Sequence, residues 1–167
     1  NDELYGDGGA DKLFGGPGND LLVGAWQGNY ESTDDLGDDL DGGDGDDTLY
    51  GGRSADRRDL LSGGAGDDRL FGGSGTDTLD GGSGTNQLYG DDGNDILIGI
   101  TGNDTLYGGA GDDLLNGSLV YAGPGHDTIK GTPGIDRLYG ESGDDLIVGL
   151  EGNDILYGGD GQDRLLG

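Results

Sequence analysis

The residues best placed to do chemistry are aspartates that return at one place in a glycine-rich frame. Asp2, Asp11, Asp20, Asp38, Asp47, Asp59, Asp68, Asp77, Asp95, Asp104, Asp113, Asp127, Asp136, Asp145, Asp154 and Asp163 share that place, and Asn29 and Asn86 take it at two further recurrences. Glycines precede all of them but Asp2, and glycine turns expose backbone carbonyls. Carboxylate and carbonyl oxygens together are the donor set of a hard cation such as Ca²⁺, which takes about six to eight oxygens. Any single one of these aspartates reads equally well as a solvated turn residue, because Asp favours turns. A whole column in register argues for the metal. The chain has no Cys, so neither disulfides nor a thiolate metal site enter the account.

The frame that positions them is nine residues long, G-G-x-G-x-D-x-L-x. It is clearest over 63–116 as GGAGDDRLF, GGSGTDTLD, GGSGTNQLY, GDDGNDILI, GITGNDTLY and GGAGDDLLN. It recurs over 6–23, at 42–50 and again over 122–166. Residues 24–32 and 33–41 are degenerate units that keep the nine-residue phase, 51–62 is a unit with three extra residues, and 117–121 (GSLVY) is short. The first six positions, rich in Gly, suit tight turns with φ > 0. Positions seven to nine predict a very short strand whose eighth side chain, Leu or Ile in every unit but the one with Glu31, faces inward. Gly63, Gly72, Gly81 and Gly108 exemplify the turn glycines whose carbonyls join the aspartates as candidate ligands.

Composition sets limits on the alternatives. Gly supplies 43 of 167 residues, and 35 acidic against 8 basic residues leave a formal charge of −27. With 30% hydrophobic residues the bulk figures are those of a disordered chain. The periodicity of the glycines and aliphatics argues against that, and their period is not the three of collagen. The acidity argues against nucleic acid and against an anionic membrane surface. No apolar run approaches the ~18 residues of a membrane span. No signal peptide is visible, and the sequence starts and stops inside the frame, which reads as a part of something longer.

The nonapeptide resembles the RTX (repeats-in-toxin) family, and the resemblance runs along nearly the whole chain. It implies an all-β fold, a right-handed parallel β-roll with two short strands per 18-residue coil, here one domain over 1–167 with irregular segments at 24–41, 51–62 and 117–121. About nine coils at ~4.8 Å would make a rod on the order of 40 Å long. It also implies calcium between the turns of successive coils. The pairs are then 18 residues apart: Asp2 with Asp20, Asp59 with Asp77, Asp77 with Asp95, Asp95 with Asp113, Asp127 with Asp145, Asp145 with Asp163, and Asp136 with Asp154. The insertion stretches Asp38–Asp59 and Asp47–Asp68 to 21. Consecutive pairs give roughly 14 to 16 candidate sites, enough positive charge to cancel most of the self-repulsion of the metal-free chain. Coupled folding and binding follows, with weaker sites at Asn29, Asn86 and the break near 117–121.

The ninth column sorts into two faces when units alternate. One face is expected to hold Phe14, Ser32, Tyr50, Phe71, Tyr89, Tyr107, Tyr139 and Tyr157, the other Tyr5, Val23, Asp41, Ser62, Asp80, Ile98, Asn116, Lys130, Val148 and Leu166. Counting GSLVY as a truncated half-coil keeps the parity and brings Tyr121 into the aromatic column. Such a face has two readings, cross-strand stacking that stiffens the sheet and a docking face for a protein partner or another copy.

Other residues carry less. His126, the single His, stands at the variable fifth position without identifiable catalytic or zinc partners. Trp26 and Tyr30 lie in the degenerate unit, as an irregular bulge or a contact to a partner or sugar. Arg53, Arg57 and Arg58 read as an exposed loop among carboxylates, and no GK[ST] makes the glycines a phosphate loop. The expected function is a non-catalytic calcium-binding module of a secreted or cell-surface bacterial protein. The resemblance implies that it folds after export through a type I channel and supports a larger toxin or enzyme. The alternative is a structural rod in an adhesin, surface layer or filament.

Overall fold

The computed structural model describes residues 1–25, 36–53, 57–101 and 103–167. Among them there is no helix. Eighteen short strands alternate between two nine-stranded parallel sheets, so that successive strands lie in opposite sheets. One sheet runs from Glu3–Tyr5 and Leu21–Val23 through Thr48–Gly52, Arg69–Gly75, Gln87–Gly93, Thr105–Ala110, Leu119–Pro124 and Arg137–Ser142 to Ile155–Asp160. The other runs from Lys12–Pro17 through Asp39–Asp44, Leu60–Ala65, Thr78–Asp80, Ile96–Gly99, Leu114–Gly117, Thr128–Lys130 and Leu146–Val148 to Arg164–Leu166. This is a parallel β-roll.

The core is one residue wide on each side. Leu22, Leu49, Leu70, Leu88, Leu106, Val120 and Leu138 on the first sheet, and Leu40, Leu61, Leu79, Leu97, Leu115, Ile129 and Ile147 on the second, are all fully buried. They are the eighth positions of the frame, turned inward by strand alternation. Each buried Leu contributes about 1.5–3 kcal/mol. Leu4, Leu13 and Leu156 pack on the same cluster half-covered.

Glycine is required where the backbone turns left-handed beneath the next coil. Gly43 and Gly45 have φ of 103° and 133°, and a Cβ on either would collide with the carbonyl of Gly16 or Gly18 one coil away. That stacking of like turns is why second and fourth positions are so often Gly.

The pairing register shows where the frame departs from 18. Leu13 pairs with Leu40 and Leu22 with Leu49, steps of 27 residues. Leu40 pairs with Leu61 and Leu49 with Leu70, steps of 21, as the insertion predicts. Leu106 pairs with Val120 and Tyr107 with Tyr121, steps of 14, so GSLVY does supply a strand of the first sheet. The 27-residue steps correct the expected face parity. The connection from Val23 to Asp39 is longer by nine residues, one unit, than that from Tyr5 to Lys12, while Leu13 pairs directly with Leu40 and Leu22 with Leu49, so every later unit changes sheets. Phe14 therefore stands beside Asp41, and Tyr5 and Val23 stand in line with Tyr50. Trp26, Asn29, Tyr30, Glu31 and Ser32, and with them part of the expected irregular segment at 24–41, lie outside the described residues.

The aromatic column is continuous from there on. Tyr50, Phe71, Tyr89, Tyr107, Tyr121 and Tyr139 stack face to face with centroids 4.7–5.3 Å apart and planes within 10°. Tyr157 tilts away at 6.5 Å and 43°.

Candidate metal centre: two buried aspartate ladders

The turns lie on two flanks of the roll. On the first flank, where the chain leaves the aromatic sheet, the sixth positions stack as Asp11, Asp38, Asp59, Asp77, Asp95, Asp113, Asp127, Asp145 and Asp163. The backbone N–H of each donates to Oδ1 of the next, for example Asp59 to Asp77 at 2.8 Å, Asp77 to Asp95 at 2.7 Å and Asp127 to Asp145 at 2.8 Å. The ladder bridges the long steps as well: Asp11 to Asp38 and Asp38 to Asp59 at 2.8 and 2.7 Å, and Asp113 to Asp127 at 2.8 Å. Asp145 reaches Asp163 at 3.1 Å.

On the second flank the order is Asp2, Asp20, Asp47, Asp68, Asn86, Asp104, then Ser118, Asp136 and Asp154. Asp2, Asp20 and Asp47 donate to the next member at 2.6–2.8 Å. Asp68 donates to Asn86 Oδ1 at 2.8 Å, and Asn86 to Asp104 at 2.7 Å. Asn86 thus keeps the ladder while removing a charge. Ser118 was not legible as a member. It holds the place by its backbone, its carbonyl accepting from Arg137 N–H at 2.8 Å, and contributes no carboxylate. Both insertions fall on the first flank and the collapsed turn on the second.

The second carboxylate oxygen is the feature that points to a cation. Oδ2 of Asp11, Asp20, Asp47, Asp68, Asp95, Asp104, Asp113, Asp127 and Asp145 is buried with no hydrogen-bond partner. A carbonyl faces the same place. Above Gly42, Gly51, Gly63 and Gly90, a Cβ would stand within 2.7 Å of both an Oδ2 (Asp47, Asp59, Asp68, Asp95) and a carbonyl oxygen of the next coil (Gly63, Gly72, Gly81, Gly108). The first-position glycine therefore leaves room for two converging oxygens of the kind calcium prefers. Among the described residues no three acidic or His side chains converge on one point, so any site depends on backbone carbonyls. The donor set fits a hard, oxygen-seeking ion.

The electrostatics agree. Burial pushes the Asp95 and Asp113 carboxyls up to about 7, and those of Asp68 and Asp127 to about 6. The amide bond from the preceding aspartate opposes this, and neighbouring carboxylates add to it. Asp47, Asp104 and Asp145 are raised by burial too. An unsatisfied buried polar atom costs about 1–3 kcal/mol and more when charged, which cancels what a buried Leu of the same unit contributes. Each buried, unpartnered carboxylate oxygen therefore opposes the stability that the leucine column supplies.

A second, outer ladder uses the fifth position, which the frame leaves variable. Asp46 Oδ1 accepts from Asp67 N–H and Asp67 Oδ1 from Thr85 N–H, at 3.0 and 2.8 Å. On the first flank Asn94, Asp112, His126 and Asp144 accept from the amides of Asp112, His126, Asp144 and Gln162 at 2.8–2.9 Å. His126 takes part through Nδ1, so its part here is in the turn stack. The recurrence of Asn and Asp at that position was the available signal.

A comparison with curated proteins found no match. The model of the RTX calcium-binding nonapeptide repeat matches residues 1–30, 32–57, 56–88, 89–119, 121–154 and 142–167, nearly the full chain. Repeats of this kind bind multiple Ca²⁺ ions and form a structural module. With its two parallel sheets, glycine turns and buried carboxylate ladders, the chain belongs to the RTX calcium-binding nonapeptide repeat family.

Proposed function

We propose that the chain is a single calcium-triggered β-roll over 1–167 in a secreted bacterial protein, and that it supports the folding and type I export of a larger toxin or enzyme. The observation that carries this is the set of buried, unpartnered Oδ2 atoms on both flanks. The proposed ligands are the ladder aspartates named above apart from the Asp136–Asp154 step, Asn86 as a weaker member, and turn carbonyls including those of Gly63, Gly72, Gly81 and Gly108. The first flank offers eight ladder steps and the second five from Asp2 to Asp104; the step from Asp136 to Asp154 is separate from these. Bound there, calcium would supply two positive charges per step and the coordination that the unpartnered Oδ2 atoms lack. The chain's own part is to bring carboxylate and carbonyl together and exclude water from them. Where calcium is scarce the carboxylates repel and the coil opens; millimolar extracellular calcium suits such sites.

Far-ultraviolet circular dichroism of the chain in chelator and in millimolar calcium tests this. A β signal appearing only with calcium is expected, and identical spectra would sink the switch. The stacked aromatic column favours a second reading, a rod in an adhesin, surface layer or filament, because it stiffens one face along most of the roll. Calcium-dependent assembly in size-exclusion chromatography would support that reading over the first.

A further inference from the structure

The turn 131–136 satisfies its aspartate differently from the turns that end in Asp20, Asp47, Asp68, Asp95, Asp104, Asp113, Asp127 and Asp145, where Oδ2 has no partner. Asp136 is fully buried, yet both its oxygens are bonded from within the turn. Thr132 N–H donates to Oδ2 at 3.0 Å and Thr132 Oγ1 to Oδ1 at 2.9 Å. Elsewhere Oδ1 accepts the amide of the preceding coil; here the preceding coil has the collapsed turn at Ser118, and the Thr132 hydroxyl takes that place.

The cause lies in two adjacent residues. In the following turn of the same flank, the second and fourth positions are left-handed, Leu150 at φ 71° and Gly152 at 154°. Neither Thr132 nor Gly134 is. Absence of glycine is not sufficient to explain this, since Asp7, Asp91, Glu141 and Leu150 all adopt φ of 71–74° at the second position. Nor is the proline, since Pro17 and Pro124 hold the same third position after Gly16 and Gly123, at φ 91° and 111°. Thr132 combines both obstacles. A β-branched side chain resists φ > 0, and a following proline drives the residue before it to extended backbone. The turn is thereby diverted into one where Thr132 faces its own aspartate.

We infer that this turn closes without an ion: the cradle at Gly131 is kept, but the Thr132 N–H and hydroxyl already occupy both Asp136 oxygens in place of a cation, so the step from Asp136 to Asp154 is not a calcium site. The inference rests on the calcium reading above. It makes the turn a metal-independent seal after the collapsed unit and ends the second flank's ion array at Asp104.

Counting bound calcium by native mass spectrometry of the whole chain tests it. Thr132→Gly turns GTPGID into GGPGID, close to the chain's own GGPGND at 15–20. The variant is expected to bind one calcium more than wild type, while Thr132→Ser, which keeps the hydroxyl, binds the wild-type number. Asp136→Asn is expected to leave the number unchanged, whereas Asp145→Asn lowers it. An unchanged count in Thr132→Gly, or a lowered count in Asp136→Asn, overturns the inference and leaves the calcium reading standing. A wild-type chain that binds no calcium overturns both.

Discussion

Asp95 donates its backbone N–H to Asp113 Oδ1 at 2.8 Å, while Oδ2 of Asp113 is buried with no partner. One half of the carboxylate builds the roll and the other half opposes it. The backbone ladder and the proposed calcium site therefore share the same carboxylates, and substitutions can separate the two.

Acidity should act in opposite directions with and without calcium. The ordinary Asp value is 3.8, and burial raises Asp95 and Asp113 to about 7 in the fold. The folded state then binds more protons than the unfolded one, so stability in chelator is full below about pH 4 and is lost as pH rises through about 6–7. In excess calcium the ion needs the ionised carboxylate, so order is expected to weaken as pH falls through the same range. Circular dichroism between pH 4 and 8 in both conditions should give curves of opposite slope; parallel curves would count against the buried-carboxylate account.

Asp113→Asn retains an oxygen for the Asp95 amide and removes the charge. The metal-free chain should become more ordered, and the calcium midpoint should rise about tenfold, equivalent to ~1.4 kcal/mol. Asn86 is the natural precedent, fully buried in the other ladder with its Oδ1 accepting from Asp68. Calcium titrations of the two proteins side by side decide this.

Replacing Tyr89 and Tyr107 together by Ser removes three stacked contacts, with Phe71, with each other and with Tyr121. At about 0.5–1.5 kcal/mol per aromatic pair, the calcium-loaded roll should lose on the order of 2–4 kcal/mol in thermal or denaturant unfolding. Unchanged stability would instead mark the column as a docking face.

Leu150→Gly should stabilise the roll. Leu150 sits at φ 71° and is 39% exposed, so a left-handed conformation is held with little burial in return. Relief of about 1 kcal/mol is expected, read as a raised unfolding midpoint in saturating calcium. A lower midpoint would show that the side chain's contacts outweigh the strain.

Much of the architecture could be read from the residues because each unit repeats one instruction. Asp at the sixth place and Leu or Ile at the eighth recur at nine-residue spacing, and strand alternation turns the one into the turn and the other into the core. The three-residue insertion and the truncated unit kept their register because a strand such as Leu119–Pro124 needs only its inward Val120 and outward Tyr121 to join a sheet. The placement of Phe14 failed for the opposite reason. Residues 24–32 are nine long and look in phase, but phase along the chain does not show whether a unit joins the ladder; the step from Leu13 to Leu40 is set by which strands pair.

By itself, the sequence determined the donor chemistry, the period and the inward leucine column, since these follow from residue type and spacing within a unit. Only the tertiary structure decided which carboxylates share a flank, that Ser118 interrupts one ladder while Asp113 and Asp127 keep the other continuous, and that Thr132 satisfies Asp136. The first two are relations between coils 14 to 27 residues apart, and the third, within one turn, follows from the collapsed coil stacked before it. They depend on backbone pairing and on left-handed turns stacking beneath one another, which no single repeat contains.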